Sequence, residues 1–219
     1  MRDANNLQNT GAWFNERTGK LTASRMAAAM SFLTQKFDKS GNPIPRKEGS
    51  DRIRLKKEIL AERMTGDIVP KYVTKEMQWG IDTEPQAKQA FENATGLVVT
   101  DMGWVPHPRI EMLGCSPDGR TSDGCLIEVK CPSSLTMVDW LIANTIPEEH
   151  KPQMILQSAC CNSVPVYFCA YDPRIKDPSK QLLIRKFEPT HEEIVTIEKA
   201  AEEFLSEIDY LFDFIMKGE

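Results

Sequence analysis

The most regular pattern in the chain lies near its end. Ile194, Ile197, Ala201, Phe204, Leu205, Ile208, Leu211, Phe212 and Ile215 recur at helical spacing, behind a Thr190/Glu193 capping box. The other face is acidic (Glu192, Glu198, Glu202, Glu207), so this helix is expected to pack on the core rather than bind a partner. Residues 50–64 read as a second helix, with Ile53, Ile59, Leu60 and Met64 inward and Arg54, Lys56 and Lys57 wet, stopping near Gly66. Residues 74–95 form a third, apolar at Met77, Ile81, Ala87, Ala90, Phe91 and Ala94. Pro85 leaves two options there: a kink, or a new helix capped by Thr83 with Pro85 in its first turn. Further helices are expected over 135–146 and after Pro147, the latter carrying Gln153 and Gln157 on one face. Thr22 or Ser24 can cap a short helix over 26–30.

Between the helices the pattern turns strand-like over 98–100, 104–105, 110–115, 126–130, 164–171 and 182–187. Alternation in 126–130 puts Ile127 and Val129 on one face and Glu128 and Lys130 on the other. The Ser-, Asp- and Gly-rich linker 120–124 should turn the chain back. A hairpin of 110–115 with 126–130 is therefore expected to bring Asp118, Glu128 and Lys130 to one edge. Helices, then strands, then αβ units predict an α/β layer fold with a mixed sheet, and 219 residues fit one domain, 1–219.

Composition changes this picture little. A net charge of −5 argues against a simple nucleic-acid coat, but a basic groove can sit on an acidic body. The six cysteines show no CxxC pairing and read as reduced thiols in or near the core. No apolar run spans a membrane, residues 1–12 are polar and expected to fray, and Met1–Asn6 is too polar to open a secretory signal. A cytoplasmic, non-membrane protein is expected. No GxxxxGK[ST] loop indicates ATP use. Residues 34–50, with Lys36, Lys39, Arg46 and Lys47, read either as a flap near DNA or as a solvated loop.

The chemistry concentrates in Gly114–Gly119 and Leu126–Pro132. An acid–x–base pair on a strand is commonly a solvated face, yet Glu128 and Lys130 stand in an otherwise apolar strand, and charges rarely bury unpaired. Two carboxylates beside a lysine suit a hard divalent cation that stabilises charge on a phosphate.

At these residues the sequence resembles the PD-(D/E)xK nuclease superfamily: Pro117-Asp118 and Glu128-Val129-Lys130, with nine residues between the acids. SPDG followed by EVKCP is similar, more narrowly, to the phage lambda exonuclease (YqaJ-like viral recombinase) family. Trp13-x3-Arg17-x-Gly19-x2-Thr22-Ala23-Ser24, Trp79-Gly80-x3-Glu84-Pro85 and Tyr171-Asp172-Pro173-Arg174 resemble further family blocks. The resemblance implies a restriction-endonuclease-like core, a central mixed β-sheet flanked by helices. It implies Mg²⁺, with Mn²⁺ able to substitute, held by Asp118, Glu128, the Val129 carbonyl and Glu84. Glu84 reads equally well as a helix-start carboxylate. Lys130 would orient or deprotonate the attacking water, and Gln153 would reach the active site; Gln157 is the weaker match. Arg17, Ser24 and Ser116 would anchor a 5′-phosphate. His150 stands where the family has a tyrosine and reads as a general acid/base or a helix-start histidine.

The implied activity is 5′-to-3′ digestion of one strand of linear duplex DNA to mononucleotides, leaving a 3′ overhang for recombination. A ring-shaped homotrimer, a single-strand annealing partner, and a phage or prophage gene expressed in a bacterial host complete the implication. The alternatives are a structure- or site-specific endonuclease, which would cut closed circles, and a non-catalytic DNA-binding protein, against which the intact Asp118, Glu128 and Lys130 set argues.

Overall fold

Alternating apolar residues build a five-stranded mixed sheet that is covered on both faces. The computed structural model describes residues 8, 10–70 and 72–218. The expected frayed opening falls largely on residues 1–7 and 9, outside the described residues. In the sheet, β2 (Val99–Thr100), β5 (Gly119–Thr121), β6 (Leu126–Lys130), β7 (Val166–Tyr171) and β8 (Leu182–Phe187) lie in the order β2-β5-β6-β7-β8. The β6/β7 pair is parallel and the other three pairs are antiparallel. A smaller sheet, β1 (Leu21–Thr22), β4 (Leu113–Cys115) and β3 (Val105–Pro106), has order β1-β4-β3.

The period-2 rule separates two cores. Ile127, Val129 and Cys169 face Ala87 and Phe91 of α4 (Lys75–Thr95). Leu126, Val166, Phe168 and Ala170 face the larger core, shared with α2 (Met26–Ala29), α3 (Ser50–Thr65), α5 (Ser134–Ala143), α6 (Lys151–Cys160) and α7 (His191–Lys217). The C-terminal helix is as expected: its capping box forms, and Ile194 through Ile208 bury their apolar stripe. Its acidic face is engaged, Glu207 with Arg52 at 2.8 Å and Glu198 with His107 at 3.0 Å. All six cysteines are free thiols, five of them buried.

Several expectations need correction. The strand 110–115 is not an arm of the hairpin that carries Asp118, Glu128 and Lys130; its ordered part, β4, joins the smaller sheet, and β5 pairs with β6 instead. Gly119 permits this, because a Cβ there would lie 2.6 Å from the Val99 side chain. In α3, Ile53 and Met64 are exposed, while Arg52 and Glu62 are buried in ion pairs. Helix α4 runs unbroken through Pro85, with Thr74 as its cap and Thr83 buried inside it; Met77, Ile81 and Ala94 face out. A helix absent from the sequence reading, α1 (Gly11–Arg17), is capped by Thr10. The helix after Ser24 shrinks to a 3₁₀ turn (Ala23–Arg25) and the four-residue α2. Residues 31–49 make an exposed, hairpin-like excursion with bridges Phe32–Glu48 and Phe37–Pro43. Among the described residues no helix is long and apolar enough to cross a membrane.

His107 carries one testable consequence. Its side chain is buried; Nδ1 accepts the Ile110 N–H at 3.1 Å, and Nε2 lies 3.0 Å from Glu198 Oε1. Burial, then Arg109, hold its pKa down against Glu198 and Glu202. The unfolded chain therefore takes up this proton more readily, and stability is lost as pH falls through about 6.5, the unperturbed imidazole value. Thermal unfolding between pH 7.5 and 5.5 should show a falling midpoint, and His107→Gln should flatten that slope. An unchanged slope would remove His107 from the account; His150, also held down by burial and by Lys130, acts in the same direction, and Asp118, held well up, in the opposite one.

Candidate active site

Strand alternation and one tight hairpin assemble the acidic centre. Asp118 precedes β5, and the turn at Ser122–Gly124 (φ +89° at Gly124) folds β6 back beside it. The Val129 N–H then donates to Asp118 Oδ2 at 2.7 Å. Glu128 is buried, pointing toward α6. Gln153 Nε2 donates to Glu128 Oε1 at 2.7 Å and Gln157 Nε2 to Oε2 at 2.5 Å, so each carboxylate oxygen has a helix-borne amide. Lys130 Nζ contacts the same Oε1 and lies 3.4 Å from Gln153 Oε1. The i, i+4 spacing of the glutamines is what delivers both to one carboxylate.

Charge is strongly unbalanced around Asp118. Burial, then Glu128 and Glu84, push its carboxyl well above the usual range. Burial alone would lower Lys130, but Glu128 and Asp118 outweigh it and keep the ammonium charged. Glu84, on α4, pairs with Lys88 Nζ at 2.7 Å, and Lys88 also reaches Asp101 at 2.9 Å. Among the described residues no three acidic, His or Cys side chains already form a cation cage. The ammonium groups of Lys130 and Lys88 engage Glu128 and Glu84. The donor set is nevertheless all oxygen. Asp118 shares its surroundings with two further carboxylates, so a hard divalent cation fits the site's chemistry and would relieve the repulsion.

A second cluster adjoins the first. Trp13 Nε1 donates to Ser116 Oγ at 2.9 Å, and Arg17 Nη1 lies 3.4 Å from the same oxygen. The Arg17 guanidinium stacks on Trp13, 3.9 Å from the ring centre. Burial, then Arg25, push Arg17 down to about 10. Arg25 itself is paired with buried Glu62 at 2.8 Å, whose carboxylate also takes the Gly19 N–H at 3.0 Å. Among the described residues Arg17 has no ion pair; Glu62 acts on it electrostatically, but as the weaker influence beside burial and Arg25. Ser24 is exposed, 3.1 Å from Thr22 Oγ1. Parallel pairing of Thr22 with Gly114 runs the Ser24 end of β1 alongside the Ser116 end of β4. On its other side Gly114 lets Trp104 pack against β4, since a Cβ there would lie 2.4 Å from the Trp104 ring. Ser116 is two residues from Asp118, at most about 7 Å of chain.

The comparisons with known proteins concern family and fold. Residues 12–163 match the model of the YqaJ-like viral recombinase domain. The chain belongs to the YqaJ-like viral recombinase family. The structure is similar to an alkaline exonuclease, LHK-Exo, from Laribacter hongkongensis: 30% identity, TM-score 0.83, 95% of this chain and 97% of that one. LHK-Exo in complex with dAMP gives a TM-score of 0.84 at the same identity and coverage. A phage related exonuclease from Haemophilus somnus 129PT shares the fold at 14% identity and TM-score 0.62, over 90% of this chain and 96% of that one. No curated protein matches the sequence. The restriction-endonuclease-like, lambda exonuclease-type fold expected from the motifs is therefore the observed one, and a nuclease role comes with membership of this family.

Asp118, Glu128, Lys130 and Gln153 thus meet within hydrogen-bonding networks, Glu84 lies within electrostatic reach, and Arg17 meets Ser116. Ser24 is placed beside them by strand register alone. His150 stands at the start of α6 without a capping side-chain bond, stacks on Phe168 (5.6 Å) and meets Trp140 edge-on (5.4 Å), with Nε2 buried and unpartnered among the described residues. Sequence reasoning undervalued Gln157 and missed Lys88, Trp13, Arg25 and Glu62. The i, i+4 relation of Lys88 to Glu84 was a usable signal; the Arg25–Glu62 pair, 37 residues apart, left none.

Proposed function

We propose that this protein is a Mg²⁺-dependent 5′-to-3′ exonuclease that degrades one strand of linear duplex DNA to mononucleotides and leaves a 3′ overhang. The observation that carries this reading is the juxtaposition of an anion-seeking pocket, Arg17 with Ser116, and the Asp118–Glu128–Lys130 centre two residues along the chain. A terminal 5′-phosphate in the first would set the next phosphodiester at the second. The dAMP held by LHK-Exo is the kind of product such cutting releases.

Asp118, Glu128, the Val129 carbonyl and Glu84 would hold the Mg²⁺, or Mn²⁺ in its place. When bound, the cation supplies Lewis-acid stabilisation of charge developing on the phosphate. Gln153 and Gln157 fix the Glu128 carboxylate through both oxygens. Lys130, a charged ammonium, donates to the attacking water and aligns it. Arg17, Ser24 and Ser116 hold the 5′-phosphate by charge and hydrogen bonds. A homotrimeric ring, a single-strand annealing partner and a recombination role in the cytoplasm of a bacterial host, from a phage or prophage gene, complete the proposal.

The test is digestion of linear 5′-phosphorylated duplex beside covalently closed circular duplex, with Mg²⁺ and with EDTA. Metal-dependent loss of the linear DNA alone, with release of mononucleotides, is expected. Cleavage of the circle would replace this reading with an endonuclease, and tight binding without cleavage with a non-catalytic DNA-binding protein.

A further inference from the structure

The Tyr171-Asp172-Pro173-Arg174 block lies outside the acidic centre but reaches both elements that frame it. The Asp172 side chain is fully buried and accepts Ser134 Oγ at 2.6 Å, the Arg174 N–H at 3.0 Å and Arg174 Nε at 2.7 Å. Arg174, locked in this way, sends Nη2 to the Pro132 carbonyl at 2.8 Å, two residues past Lys130. Its guanidinium also lies over Trp79 of α4, 4.2 Å from the ring centre. Five residues on, roughly 7.5 Å along the helix, stands Glu84.

Helix α4 needs such a tie. Its second half is anchored on the sheet by Ala87 and Phe91. Its first half is poorly covered, with Met77 46% and Ile81 51% exposed. Pro85 removes one backbone donor at the junction, which is where a helix bends most easily. Glu84 therefore sits at the boundary between a packed half and a loose one.

We propose that Arg174, held by Asp172, is a positioning residue. It clamps Trp79 to the Pro132 end of β6, fixing Glu84 relative to Asp118 and Glu128 and setting the site's affinity for a divalent cation. This rests on the metal reading under Proposed function. Cation–π contact with a half-buried indole and a charge-assisted bond to a carbonyl suit a tie between two elements.

Arg174→Ala would strand the buried Asp172, so the test uses Trp79. Its indole N–H has no hydrogen-bond partner among the described residues, and removing it orphans nothing. Binding of Mn²⁺ alone, without DNA, is followed through the free-ion paramagnetic resonance signal, with thermal unfolding in parallel. Trp79→Leu should weaken Mn²⁺ binding about tenfold, the lower end of what loss of an outer support costs a metal site. Trp79→Phe, which keeps an aromatic face, should restore it, and both midpoints should stay near that of the parent protein. In a Glu84→Gln background, Trp79→Leu should have no further effect on Mn²⁺. Unchanged Mn²⁺ affinity in Trp79→Leu, or a loss that persists without Glu84, overturns the clamp. Failure of the metal reading looks different: Asp118→Asn would then bind Mn²⁺ as the parent does, and the clamp would fall with it.

Discussion

Lys130→Ala is expected to lower the rate of linear-duplex digestion at saturating DNA by about a thousandfold, the range that loss of a positioned proton donor or charge from an active site costs. The ammonium is the cationic side chain in contact with Glu128, and Glu128 and Asp118 keep it charged despite burial. Its loss should fall on turnover rather than on the fold. Glu128 retains both glutamine amides, and the Asp118–Val129 bond does not involve Lys130. Lys130→Arg should not rescue, because a planar fork cannot replace a compact point donor between Glu128 and Gln153. Initial rates with Mg²⁺, beside DNA affinity in EDTA, check this. A Lys130→Ala protein that digests at the parent rate would sink the catalytic assignment.

How much of this site is legible before folding depends on the range of the interactions that build it. Alternation in Leu126–Lys130 gives the opposed faces correctly, because a strand's period is local. The Thr190/Glu193 box gives the last helix its start for the same reason. Partner choice is not local. Ile110–Cys115 reads as a strand, yet nothing in its own residues says that it joins β1 and β3 and leaves β6 to a three-residue strand starting at Gly119. Helical periodicity marks Met77 and Ile81 as apolar but cannot show that the sheet ends beneath Ala87 and Phe91. In α3 the pattern holds at Ile59 and Leu60 but misses at Ile53 and Met64, and it does not foresee that Arg52 and Glu62 bury against partners far along the chain, Glu207 and Arg25. The Arg17–Ser116 contact is the extreme case. Arg17 and Ser116 are 99 residues apart, and only family resemblance joined them in the sequence.

That contact gives the second large effect. Arg17→Ala is expected to slow digestion of 5′-phosphorylated ends by about thirtyfold, corresponding to ~2 kcal/mol, the net value of a hydrogen bond to a charged group. Digestion of 5′-hydroxyl ends should change little, so the preference for the phosphate should shrink by the same factor. The reason is electrostatic. Burial and Arg25 hold Arg17 down to about 10, with Glu62 opposing them only in part, so a dianionic phosphate beside the guanidinium would gain a charge-assisted bond and favour its charged form. Arg17→Lys should recover only part of the preference. A lysine keeps the charge but loses both the stacking on Trp13 and the forked reach to Ser116. Initial rates on duplexes that differ only in their 5′ group decide the matter. Equal losses on both ends would make Arg17 a support for Trp13 and α1, and the phosphate would then have to be held elsewhere.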